Sequence, residues 1–182
     1  APGDGGGSPP PPPPPDGGGS PPPSDGFGGP TAAEGPSSWE ADVPLTTTFE
    51  LPTISSGQTY WRLVSVEYYP PAVSASQGGD HHINFYANDA GGTKLANQTA
   101  KMTIFGTNDA YAQTKDAVDG FKGNFAMFGT SWCTSDINSG QAGPYAVMMT
   151  QDNLPSTRVN GMGMHCNGHM VWTLTFQKST AP

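Results

Sequence analysis

Apolar and polar residues alternate with a period of two along most of the chain after residue 40. That period is the signature of a half-buried β-strand. Leu45, Thr47, Phe49 and Leu51 alternate with Thr46, Thr48 and Glu50. Ile83, Phe85 and Ala87 alternate with His82, Asn84 and Tyr86. Ala100, Met102 and Ile104 alternate with Thr99, Lys101 and Thr103. The clearest run is Met170, Trp172, Leu174 and Phe176, interleaved with Val171, Thr173, Thr175 and Gln177. Two runs are more uniformly apolar: Trp61–Tyr69, which reads as a strand buried on both faces, and Tyr145–Thr150.

Turn signals separate these runs. They are Gly78-Gly79-Asp80, Asn88 to Gly92, Asp119-Gly120, Asn138-Ser139-Gly140, Asn160-Gly161 and Asn167-Gly168. No segment carries a helical period. About seven short strands with turns at intervals predict an all-β, immunoglobulin-like β-sandwich over residues 39–182. The polar stretch from Gly106 to Gly120 reads as a solvated loop. Its Asp109, Asp116 and Asp119 lack the spacing of a compact calcium loop.

Residues 1–38 follow other rules. DGGGSPPP at Asp4–Pro11 returns at Asp16–Pro23, and Phe27 is the only large apolar side chain among the first thirty residues. Proline runs form the extended, solvated polyproline II helix, while glycine runs are flexible. Such a segment builds no core, and a partner surface is what would order it. The expected assembly arm comprises Pro9, Pro10, Pro11, Pro12, Pro13, Pro14 and Pro15, then Pro21, Pro22, Pro23 and Phe27.

Charge separates the same two regions. Residues 1–50 hold seven acids (Asp4, Asp16, Asp25, Glu34, Glu40, Asp42, Glu50) and no base, because the first base is Arg62. The remainder is nearly balanced. A chain with net charge −8 lacks the basic face that phosphate binding needs, so a nucleic-acid partner is not expected. No stretch approaches the roughly 20 apolar residues of a membrane span. Low lysine, the Pro-rich segment and an even cysteine count suit an exported protein. An Ala in first place is what removal of a leader would leave. Cys133 and Cys166 are expected to form one disulfide, closing a loop that stabilises by roughly 3–4 kcal/mol on the chain-entropy model.

Several runs carry a resemblance. Trp61-Arg62-Leu63-Val64-Ser65-Val66, His81-His82-Ile83, the segment from Gly123 to Phe128, Leu154-Pro155-Ser156 and the segment from Val159 to Met164 are its motifs. With the closing Leu174-Thr175-Phe176-Gln177, they resemble an Ig-like accessory module of exported proteins from filamentous thermophilic bacteria. The resemblance spans roughly residues 58–178. It implies a non-catalytic, extracellular module without a defined ligand. The two cysteines, and Cys166-Asn167-Gly168-His169 before the last strand, depart from it.

Chemistry is sparse. His81, His82, His165 and His169 are the only histidines, and their spacing does not specify a metal site in a strand and a turn. No GxSxG elbow or paired carboxylates mark a hydrolase, so neither catalysis nor a cofactor is expected. Asn97-Gln98-Thr99 is an N-glycosylation sequon. The aromatics suggest either a groove that receives polyproline or a platform that stacks on sugar rings. The sequence therefore predicts a secreted structural subunit of an extracellular filament, a homopolymer whose arm docks on neighbouring copies. As polyproline II the arm reaches roughly 90 Å, against a domain radius of gyration of about 14 Å. The alternative is a carbohydrate-binding accessory module on a flexible stalk, with a polysaccharide as partner.

The disulfide is open to direct test. Mass spectrometry of native protein under non-reducing conditions should find Cys133 and Cys166 in one linked peptide. Two alkylatable thiols would contradict it, and with it much of the argument for export.

Overall fold

The computed structural model describes residues 31–70, 81–127, 140–164 and 169–182. Among them lie twelve strands, one 3-10 turn and no α-helix. Two five-stranded sheets and one two-stranded sheet make the chain all-β. One five-stranded sheet runs β2 (Ser38–Trp39), β5 (Thr59–Tyr69), β12 (Val171–Thr180), β6 (His82–Asn88), β9 (Gly123–Ala126). The other runs β3 (Thr48–Glu50), β11 (Arg158–Met162), β10 (Tyr145–Met149), β7 (Thr99–Ile104), β8 (Asn108–Gln113). The small sheet pairs β1 (Thr31–Ala32) with β4 (Thr53–Ile54). The first described strand begins at Thr31 and belongs to the small sheet.

The two large sheets share one core. Trp61, Leu63, Phe85, Trp172, Leu174 and Phe176 come from the first, and Ala100, Met102, Val147, Met149 and Val159 from the second. Strand β12 sits at the centre of its sheet. It pairs antiparallel with β5 from Val171↔Tyr69 to Thr180↔Thr59, and parallel with β6 from Val171↔His82 to Gln177↔Asn88. A parallel neighbour needs a long crossover. Here that crossover runs through β7 to β11, which contain four strands of the second sheet. Its alternation is kept: Met170, Trp172, Leu174 and Phe176 are all fully buried. Trp172 also donates its indole N–H to the Gly163 carbonyl at 2.9 Å, so its polar atom is satisfied inside the core.

Three local expectations change. The run Trp61–Tyr69 is not buried on both faces. Trp61, Leu63, Val66 and Tyr68 are buried, whereas Arg62, Val64, Glu67 and Tyr69 are half-exposed. Parity switches after Leu63 because the register slips there: Thr175 faces Ser65 while Phe176 faces Leu63. A β-bulge that inserts one residue turns the rest of the strand over, and this made the run look uniformly apolar.

The Leu45–Leu51 alternation does not form a core strand. Only Thr48–Glu50 pairs, on β11, and Leu45 is fully exposed while Thr47 is buried. Pro44 and Pro52 bracket the run. The Pro44 carbonyl accepts from the Thr47 amide at 2.8 Å, which bends the chain away before the strand starts.

Part of the Gly106–Gly120 stretch is the edge strand β8, in a hairpin with β7 rather than in a loop. An edge strand with mostly exposed side chains needs little apolar sequence, so polarity concealed it.

The burial of Trp172 is checkable. Trp172→Ala should lower unfolding free energy by about 3–5 kcal/mol in denaturant titration, the range for buried aromatics. A parent-like midpoint would contradict the register of β12.

Candidate binding trough on the outer sheet face

Alternation that buries Trp172, Leu174 and Phe176 turns the other face of β12 outward, where the side chains are short: Val171 is buried and Thr173 and Thr175 are half-buried. Val171, Thr173 and Thr175 form a floor. On one side β5 raises Glu67 and Tyr69; on the other β6 raises Asn84 and Tyr86. The result is a trough of about 380 Å³ across the middle of the sheet. Two turns deliver its rim. Asp89 Oδ1 accepts from the amides of Gly91 and Thr93, tightening the loop that places Lys94. Lys122 follows Gly120 and Phe121, both at positive φ, in a turn closed by the Phe121 amide on the Asp116 carbonyl.

The electrostatics are uneven. Tyr69 Oη donates to Glu67 Oε2 at 2.7 Å. That bond, with burial and the Glu67 charge behind it, pushes the Tyr69 hydroxyl up to about 12. Lys94 Nζ stands 4.3 Å from the Tyr86 ring centre, a cation–π contact that sets the ring's position. The chain has seven Lys and Arg. Four are in ion pairs: Arg62–Glu34, Lys101–Asp109, Lys115–Asp119 and Lys178–Asp152. Lys94 and Lys122 make no ion pair among the described residues, so the trough presents two cations beside the single carboxylate of Glu67.

Most sequence candidates lie elsewhere. The arm residues Pro9 to Pro15, Pro21 to Pro23 and Phe27 lie outside the described residues, as do Cys133, Cys166, His165 and Trp132. The ring of His81 stacks on that of His169 at 4.4 Å between centres, bringing one histidine from each pair together. Among the described residues no three His, Cys, Asp or Glu side chains stand close enough to hold a metal. Asn97 is exposed at φ 57° in the loop before β7. Trp61 and Trp172 belong to the core, and Trp39 packs on Phe49 at 5.6 Å, so these tryptophans form no platform. The aromatics of the trough are Tyr69 and Tyr86. Alternation identified Tyr86 as outward; the bulge in β5 hid Tyr69.

No family model matches the chain, nor does any curated protein or solved structure.

The Glu67–Tyr69 bond has a titration signature. A raised Tyr69 value means that the folded chain keeps a proton the unfolded chain loses. The stability this confers is therefore complete below the ordinary value of 10.0 and is lost as pH rises through about 12. In Glu67→Ala, the Tyr69 ring-carbon resonance should titrate at lower pH than in the parent. An unchanged titration would show that Glu67 does not hold the hydroxyl.

Proposed function

We propose that this domain is an extracellular glycan-binding module, carried on its Pro/Gly-rich arm. The observation that supports this most is the trough: short β12 side chains between Tyr69 and Tyr86, with Lys94 and Lys122, which make no ion pair among the described residues, at the rim. Core packing explains none of those outward residues. A sugar chain along β12 would lay apolar ring faces against the tyrosines. Its hydroxyls would meet Asn84, Thr173, Thr175 and the lysine donors. Glu67 is the only carboxylate among the residues lining the trough, whereas glycoside hydrolysis uses a pair. The reading is therefore binding without turnover. The immunoglobulin-like sandwich and the exported-module resemblance are part of this proposal. Two five-stranded sheets on one core support it, and the parallel β6–β12 pair is a departure from it.

A specific observation favours a second reading, the self-assembling filament subunit. The first fifty residues hold seven acids and no base, opposite in sign to the trough rim. The arm of a neighbouring copy would lay proline rings on Tyr69 and Tyr86, with Asp4 or Asp16 near Lys94 and Lys122, as polyproline ligands lie in aromatic grooves.

Native electrophoresis in gels cast with a β-glucan, a xylan or an alginate separates the two. The first reading expects retardation of the full chain by at least one polymer, and loss of retardation in the Tyr69→Ala/Tyr86→Ala double variant. Free migration in every gel, with sedimentation as a polymer that disappears on removing residues 1–30, would select the filament.

A further inference from the structure

The third unpaired base marks a second cleft, on the outer face of the other sheet. Among the described residues Arg158, on β11, makes no ion pair, although Glu50 stands opposite it in register. It lines a cleft of about 410 Å³ together with Thr46, Phe105, Pro144 and Asn160. Three features of this cleft lack a structural purpose.

The first is Phe105. Phe105 and Gly106 are the central pair of the β7–β8 turn, at φ 50° and 73°, and the Thr107 amide closes on the Ile104 carbonyl at 3.1 Å. Three residues separate the paired Ile104 and Asn108, and positive φ at both central positions of the turn favours Asn and Gly. A phenylalanine held there costs about 1 kcal/mol or more, and its ring earns no burial, being 62% exposed. The Phe105 amide donates to the Pro144 carbonyl at 2.8 Å, which holds the ring's backbone at the cleft.

The second is unsatisfied polarity. Thr46 Oγ1 and Asn160 Nδ2 are buried without a hydrogen-bond partner. A buried orphan costs about 1–3 kcal/mol. Both residues line the cleft. The third is close backbone approach. The carbonyl of Thr46 lies 2.3 Å from where a Cβ on Gly161 would stand, and Gly161 is at φ 79°. Only glycine admits that approach, which draws the Thr46 backbone against Gly161.

A guanidinium outside any ion pair among the described residues, though within range of the Asp109 charge, joins an amide donor, a hydroxyl and an exposed ring in one complementary set. We infer that this cleft is a second binding site, and that its ligand is a hexuronate, a sugar bearing a carboxylate. The Arg158 fork would take the carboxylate in a bidentate pair. Asn160 and Thr46 would take neighbouring hydroxyls. Phe105 would cover the apolar face of the ring. This site stands apart from the trough and does not depend on it.

Calorimetric titration of the full chain with trigalacturonate, and with its methyl ester, tests the inference. Trigalacturonate should bind, and the ester should bind at least about tenfold more weakly, the scale of one charge-assisted hydrogen bond. Arg158→Gln should weaken trigalacturonate binding by about the same factor. Phe105→Asn should also weaken binding while melting at or above the parent temperature, because asparagine suits the turn. Tyr69→Ala/Tyr86→Ala should leave affinity for trigalacturonate unchanged. The inference is overturned if trigalacturonate does not bind at millimolar concentration, or if Arg158→Gln binds as the parent does. Loss of binding in the tyrosine variant would also overturn it, since binding would then belong to the trough. Equal affinity for a short peptide with a free C-terminal carboxylate would assign the cleft to carboxylates generally and overturn the sugar assignment.

Discussion

Strand β12 is the constraint on which the rest of this molecule depends. It pairs antiparallel with β5 from Val171 to Thr180 and parallel with β6 from Val171 to Gln177. Its inward residues Trp172, Leu174 and Phe176 are fully buried and join side chains of both sheets in one core. Because strand side chains alternate, burying this set determines that Val171, Thr173 and Thr175 point out. A one-residue slip would place Trp172 in solvent and close the trough together. The core and the candidate site are therefore two faces of one register.

The two clefts also share an electrostatic logic. Among the described residues four of the seven bases are held by carboxylates, and the three that make no ion pair there line the clefts. Exposed ion pairs contribute little to stability, so pairing of the other four is weak as a structural device. An unpaired cation among hydroxyl and aromatic side chains is of more consequence for what the surface can hold. Thr103 donates to Asp109 Oδ1 at 2.8 Å and Lys101 pairs with its other oxygen, so this carboxylate is taken up mainly within the β7–β8 hairpin, with the Arg158 charge a lesser influence. Hydrogen bonding to Thr103 comes first among the causes that hold the Asp109 carboxyl below its ordinary value.

Where periodicity was simple the sequence revealed the fold. The alternations in β6 and β12 stand as strands with the expected faces inward, and β7 keeps its pattern through Met102, after which Thr103 is buried and Ile104 only partly so. It was misleading where a second rule overrode the period. A bulge at Val64 and Ser65 reversed the faces of β5, and flanking prolines shortened β3 and left Leu45 exposed. Edge strand β8 lacked an apolar signal because it buries so little. The candidate sites were legible only in fragments. Tyr86 and Thr173 could be read as outward, but pairing β5 and β6 to opposite sides of β12 is a long-range fact that no local pattern contains. Phe105-Gly106 gave the clearest unread signal: a bulky aromatic where an asparagine belongs.

The account holds that short outward side chains on β12 make the trough that binds a glycan. Thr173, at the middle of that floor, can be filled without touching the core. The direct measurement is migration of Thr173→Trp beside the parent in a gel containing whichever polysaccharide retards the parent, with thermal unfolding of both. The account predicts the parent's melting temperature and free migration. Parent-like retardation of the filled variant would place the binding surface elsewhere and contradict it.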